Sequence, residues 1–284
     1  MSYQLKVALT HDVDRTVKTY QYLTHLLKAL KNKNYTEALY HLASVKEYNK
    51  VFWNFDEIIN LENNYGVKST FFFLIESIPF KFYDISNWKL SLGRYDIYEP
   101  RIQKIIRYLD ENGWEIGLHG SYLSYKDINL LRNEKMVLEQ LVGHPIFGIR
   151  QHYLNLCENT WTFQKEAGFT YDTSWGLTKE VGFKENRIKP FYPFSDKFTV
   201  FPLSIMDSCY MNNSNRKSVL IDIINKCIEE ESILVINWHS NNFYEKEYPG
   251  YKKAYCEIIE TCLDNNGMFN TLSYYYNNLL NCTN

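Results

Sequence analysis

What most constrains the fold of this chain is a set of short, nearly unbroken apolar runs: "LKVALT", "KSTFFFLI", "WEIGLH", "IFGIR", "FTVFPLSI" and "ILVINWH". A strand with one face in water alternates polar and apolar residues, whereas a run that is apolar throughout is buried on both faces, as parallel strands covered by helices are. Between the runs lie "VKTYQYLTHLLKALKNK", "RIQKIIRYLDENG", "DINLLRNEKMVLEQLVG", "SVLIDIINKCIEEE" and "AYCEIIETCLDNNG", which read as helices. This alternation predicts an α/β chain built on a barrel or a doubly wound sheet.

The 284 residues contain no Pro- or Gly-rich linker, no repeat and no low-complexity tract, so a single domain over residues 1–284 is expected. Two segments read as insertions: residues 15–64, mostly helical, and residues 77–99, a long aromatic loop of the kind that carries specificity. With 31 basic and 33 acidic residues the net charge is −2, and no run of Lys and Arg predicts a nucleic-acid or anionic-membrane surface. The 17% aromatic content, with 24 Tyr, fits sugar-stacking surfaces as well as an ordinary core. Cys157, Cys209, Cys227, Cys256, Cys262 and Cys282 form no C-x-x-C pair, which argues against thiolate zinc and a disulfide framework. "MSYQLKVAL" enters a strand directly, and no window approaches about 18 uninterrupted apolar residues. A cytoplasmic protein without an integral membrane segment is the expectation.

The informative polar residues fall where strands stop. "LTHDVD" closes the first strand, "EIGLHGSY", "GIRQHYL" and "INWHSNN" close later ones, and all C-terminal ends of a parallel barrel converge on one mouth. Asp14 and His119 are donors suited to a divalent ion such as zinc, cobalt or nickel. Asp12, two residues earlier on an extended segment, faces the same side and is placed to take a proton from water, with Arg150 available to keep it ionised. His239 is placed to protonate a leaving group. Asp172, in "YDTSW", is either its orienting partner or a turn-capping acid.

As an ordered series these motifs resemble the polysaccharide deacetylase family, metal-dependent carbohydrate esterases that include chitin, peptidoglycan and chitooligosaccharide deacetylases. "THDVD" is similar to the family's first motif, which implies Asp12 as catalytic base and Asp14 as metal ligand. "EIGLHGS" resembles the second, implying His119 as a ligand. "RQHY" resembles the third, R-x-P-Y, implying that Arg150 positions the base and that the Tyr153 N–H stabilises an oxyanion. "YDTSW" resembles the fourth, implying that Asp172 tunes the catalytic histidine and Trp175 lines the pocket, and "INWH" the fifth, implying His239 as general acid. The resemblance runs from residue 5 to about 240 and implies a distorted (β/α)7 barrel with helical and loop insertions.

Two positions depart from that pattern. Four residues after its first metal histidine the family carries a second, where this chain has Leu123. The proline of the third motif is replaced by His152, so His152 is expected to supply the missing imidazole, with His11 as the other candidate. Tyr95 and Asp96, in "GRYDI", are candidate substrate contacts, and Asp207 is a further acid after a strand. His25, His41 and His144 read as structural. The expected function is a metal-dependent hydrolase that removes an acetyl or other acyl group from a saccharide. Two alternatives are a hydrolase of a non-sugar amide such as a cyclic ureide, and a catalytically silent glycan-binding protein.

Overall fold

The computed structural model describes residues 4–282. Its strands are β1 (Lys6–Val13), β2 (Thr70–Leu74), β3 (Glu115–Gly120), β4 (Gly148–Gln151), β5 (Tyr171–Asp172), β6 (Thr199–Val200), β7 (Ile205–Met206), β8 (Ile233–Asn237) and β9 (Met268–Phe269). All pair in parallel in the order β6-β5-β4-β3-β2-β1-β8-β7, with β9 added beside the start of β1. β6 and β7 are two parts of one extended passage interrupted at Pro202. Its first half pairs with β5, its second with β8. Phe201 N–H donates to the Asp172 carbonyl and Leu203 N–H to that of Trp175, both at 2.8 Å, before Ser204 N–H crosses to the Val235 carbonyl at 3.1 Å. The sheet thereby curls into the distorted (β/α)7 barrel that the resemblance implied, one of the two architectures the apolar runs left open.

Each strand sorts its residues by parity. Val7, Leu9, Val13, Phe71, Phe73, Ile116, Leu118, Ile149, Leu234, Ile236 and Trp238 pack outward under the helices. Ala8, Phe72, Tyr171, Phe201 and Val235 fill the interior. Both layers are apolar, and for that reason the strands read as continuous runs. The helix Leu272–Cys282 plugs the far end, where Leu272 and Tyr275 join the interior cluster. Tyr275 also donates to the Val7 carbonyl at 3.2 Å.

Both insertions are present. Residues 15–64 hold the helices Gln21–Lys31 and Tyr35–Ala43 and all but the last residue of Phe55–Tyr65, and residues 77–99 hold one short helix, Ile85–Ser91. The five cysteines whose side chains are described are free thiols. Among the described residues no helix is long and apolar enough to cross a membrane.

Candidate active site

The parity that builds the core also builds the mouth. On β1 and just beyond it, Thr10, Asp12 and Asp14 share the inner face with Ala8. Register then sets neighbours: His119 lies opposite Arg150, and Thr10 opposite Asn237. Asp12, Asp14, His119, His152, Tyr153, Leu154, Thr178, Met206, Ser208 and His239 consequently line one cavity of about 240 Å³ at the C-terminal end of the sheet.

Two charged pairs flank it. Asp12 Oδ1 accepts from Arg150 Nη1 at 2.9 Å and its Oδ2 from Asn237 Nδ2 at 2.8 Å. Arg150 is completely buried and also donates to the Thr10 hydroxyl and the Thr173 carbonyl. Burial alone would raise the Asp12 carboxyl; the Arg150 guanidinium, followed by His119 and His239, outweighs it and keeps the group below the usual carboxylate value. Across the cavity His239 Nδ1 lies 3.0 Å from Asp207 Oδ2, and the same carboxylate accepts from the His239 N–H at 2.7 Å and from Asn242 Nδ2 at 2.7 Å. Burial disfavours the His239 cation, but Asp207, with lesser help from Asp14 and Asp12, pushes the imidazole up to about 10.

Between the pairs sits a group of unsatisfied donors and acceptors. Asp14 Oδ1 is 3.3 Å from His119 Nε2 and 3.4 Å from His152 Nε2. His119 Nδ1 lies 2.9 Å from the Arg150 carbonyl, so it carries the hydrogen and its Nε2 presents a lone pair. Asp14 Oδ1 and His119 Nε2 are buried without a hydrogen-bond partner. One ligand atom each from Asp14, His119 and His152 lie within 4.8 Å of one another, the chemistry of a divalent cation site. Burial raises the Asp14 carboxyl, but the neighbouring His152 and His119 side chains, followed by the Arg94 guanidinium, hold it well below its ordinary value.

His152 is thus placed beside Asp14 and His119, while Leu123, at the head of a turn 39% exposed to solvent, is not among the cavity's residues. His11 is not a candidate: its parity on β1 turns it outward, where its nitrogens lie 2.7 Å from the Trp238 carbonyl and 2.8 Å from Glu62. The same parity corrects the expectation for Asp172. Tyr171 occupies the interior position of β5, and Asp172 turns out to the helix Thr160–Glu166, where it accepts from Gln164 Nε2 at 3.0 Å and Ser174 Oγ at 2.6 Å. Asp207 is the acid on His239. Trp175 lies against Trp161 and Phe191 in a neighbouring cleft of about 460 Å³, not on the wall of the mouth. Tyr95 is a structural staple, its hydroxyl donating to the Val13 carbonyl and accepting from Leu74 N–H. Asp96 is an exposed turn acid that accepts from Tyr98 N–H at 2.9 Å.

Three site residues escaped sequence reasoning. Asn237 holds the second oxygen of Asp12, and its inward parity two residues before His239 was the available signal. Arg94, adjacent to Tyr95, donates to the Asp14 carbonyl at 3.0 Å and approaches His152 Nε2 at 3.4 Å. Glu76 Oε2 lies 3.8 Å from His152 Nδ1. Tyr153 and Leu154 adopt φ of 58° and 55°, a left-handed backbone that costs a non-glycine residue about 1–3 kcal/mol each and so marks a constrained turn at the cavity.

A Mycobacterium smegmatis structure assigned to the polysaccharide deacetylases superposes with a TM-score of 0.62 at 16% identity, covering 100% of this chain and 92% of that one. A Pseudomonas aeruginosa structure with the same assignment gives 0.59 at 13% identity over 96% of this chain and 90% of that one. PuuE allantoinase gives 0.60 at 14% identity over 96% and 89%. The chain therefore has the polysaccharide deacetylase fold. No protein-family model matches the sequence, and no curated protein does.

Proposed function

We propose that the chain is a metal-dependent hydrolase that removes an acetyl or other acyl group from a saccharide, in one catalytic domain. The observation that carries this reading is the convergence of Asp14, His119 and His152, with buried unpartnered ligand atoms, between the Asp12–Arg150 and Asp207–His239 pairs. When bound, a divalent ion, zinc before cobalt or nickel, supplies Lewis acidity to a carbonyl and lowers the pKa of water towards about 7. Asp12, held ionised by Arg150 and fixed by Asn237, takes the proton of the attacking water. His239, held protonated by Asp207, delivers a proton to the departing amine or alkoxide. The Tyr153 backbone, constrained at the cavity wall, offers an N–H to the developing oxyanion. The two carboxylate–cation pairs give the acid and base opposite charge states at the same pH.

Acetate release from N- and O-acetylated saccharides, assayed with zinc, cobalt and nickel, tests the reading. Absence of turnover across metals and substrates, with Asp12→Asn behaving identically, overturns it. The likeness to PuuE allantoinase favours one second reading, hydrolysis of a non-sugar amide on the same residues; turnover of a cyclic ureide in place of every saccharide would establish it. A silent glycan-binding protein predicts saccharide affinity with no metal in the purified protein.

A further inference from the structure

The helical insertion between β1 and β2 is inside out. In the helix Gln21–Lys31 the residues turned to the protein are Gln21 and Ala29, and in Tyr35–Ala43 they are Ala38 and His41. The apolar stripes face solvent: Leu23, Leu27 and Leu30 are 52%, 56% and 46% exposed, and Tyr35, Leu39 and Leu42 are 66%, 66% and 56% exposed. Each stripe repeats at i, i+4, i+7, so each is one face of its helix.

Polar contacts hold the inner face in this orientation. Tyr22 donates to the Ser44 carbonyl at 3.0 Å, joining the two helices. Lys18, buried, donates to Glu247 and lies 3.0 Å from His41 Nδ1, while Tyr40 donates to Glu247 at 3.0 Å. This network ties the pair to the segment that follows β8 and His239. The apolar faces are therefore not stripes that slipped out of a core; the inner faces are satisfied by other groups.

Charge decides what covers them. Between residues 20 and 50 the chain carries Lys28, Lys31, Lys33, Lys46 and Lys50 against Glu37 and Glu47, a local excess of three positive charges on a protein of net charge −2. Lys28 and Lys31 are exposed and adjoin Leu27 and Leu30, the arrangement that seats leucines at a headgroup boundary while ammonium groups reach anionic phosphates. No linear run of Lys and Arg reveals this surface, because the hairpin assembles it. The insertion leaves β1 directly after Asp14, and its first residues pack on the aromatic loop, with Arg15 donating to the Leu92 carbonyl. In that loop Phe82, Tyr83 and Ile85 are each 74% exposed.

We propose that the leucine faces of the helices Gln21–Lys31 and Tyr35–Ala43 dock the protein on an anionic lipid surface, next to the mouth of the barrel. The docking is independent of whether the site hydrolyses an acyl group, since it is read without turnover.

The test is co-sedimentation of the full chain with phosphatidylcholine vesicles, with and without phosphatidylglycerol, at low and high salt. Expected is partition to the anionic vesicles that exceeds that to neutral ones by about tenfold and falls with salt. The combined variant Leu23→Ser, Leu27→Ser, Leu39→Ser, Leu42→Ser is expected to lose that partition by about tenfold or more while keeping the wild-type circular dichroism spectrum. Should the variant misfold, Lys28→Glu with Lys31→Glu and Lys33→Glu provides the same test through charge alone. Equal partition of wild type and a folded variant, or no partition at low salt, overturns the proposal. So does a lipid-free dimer that the leucine variant dissociates, which would assign the face to a second copy of the chain.

Discussion

His239 Nδ1 and Asp207 Oδ2 are 3.0 Å apart, and the same carboxylate also accepts the His239 N–H. One side chain thus fixes both the ring and the backbone of the proposed general acid, and orients the ring so that Nε2 is the nitrogen left to serve the substrate.

Replacing Asp207 by Asn removes the charge that lifts His239 to about 10. With burial then opposed only by Asp14 and Asp12, the imidazole of the variant is expected to titrate well below its wild-type value, and the alkaline limb of any pH–rate profile to move down with it. Because the folded value is raised, the pair's contribution to stability is fully present below pH 6.5 and is lost as pH rises through about 10. Urea unfolding across that window checks the wild type. The variant should show a flatter dependence, and an unmoved imidazole titration by NMR would refute the assignment.

Asp12→Asn is expected to lower turnover by about a hundred- to ten-thousand-fold. It should also cost stability approaching the roughly 3–5 kcal/mol of breaking a buried ion pair, because Arg150 stays buried. In the wild type the Asp12 value is depressed, so its contribution is present above pH 3.8 and declines as pH falls through the lower folded value. Asp172→Asn serves as the control. It should destabilise by about 1–3 kcal/mol through the Ser174 and Gln164 contacts and leave the pH profile in place.

His152→Ala is expected to reduce bound metal about tenfold or more, measured by elemental analysis of protein purified without chelator. Chelation should lower the melting temperature of the wild type, since an ion that binds only the folded state stabilises it by mass action, and should leave that of His152→Ala almost unchanged. His11→Ala is expected to keep the metal and to lose about 1–3 kcal/mol, because it strips a buried partner from Glu62. Equal metal in wild type and His152→Ala would remove His152 from the ligand set.

Tyr95→Phe should act on stability alone. It leaves the Leu74 N–H and the Val13 carbonyl without their shared hydroxyl, at a cost of about 1–3 kcal/mol by denaturant titration, with KM unchanged. A raised KM at unchanged stability would restore Tyr95 as a substrate contact.

The barrel and most of the mouth were legible in the sequence because burial on both faces writes itself as apolar runs, and the residues that interrupt those runs then stand out. Asp12, Asp14, His119, Arg150 and His239 all sit at or just beyond such an interruption. Counting parity from Ala8 or Tyr171 would also have turned His11 and Asp172 outward, but β5 is only two residues long and leaves too short a run to count. Asp207 was visible only as an acid after a strand; its approach to His239 depends on the β7–β8 pairing, which no local pattern encodes. Arg94 arrives from the aromatic loop, where neither strand alternation nor helical spacing guides the reading. Trp175 was placed by motif alone, and the local chain carries it to the neighbouring cleft.

The passage through residues 199–206 gives the barrel a seam. Here one short, proline-interrupted stretch fastens both margins, its first half to β5 and its second to β8. Its partners lie close in the chain, Tyr171 opposite Thr199 and Ile205 opposite Ile236, but each half offers its neighbour only two residues of ladder, so little holds either margin against local opening. The seam is accordingly where amide exchange under native conditions should be fastest among the strands. Asp207 begins one residue beyond it, so fastening the seam and positioning the proton donor are a single event in the life of the fold.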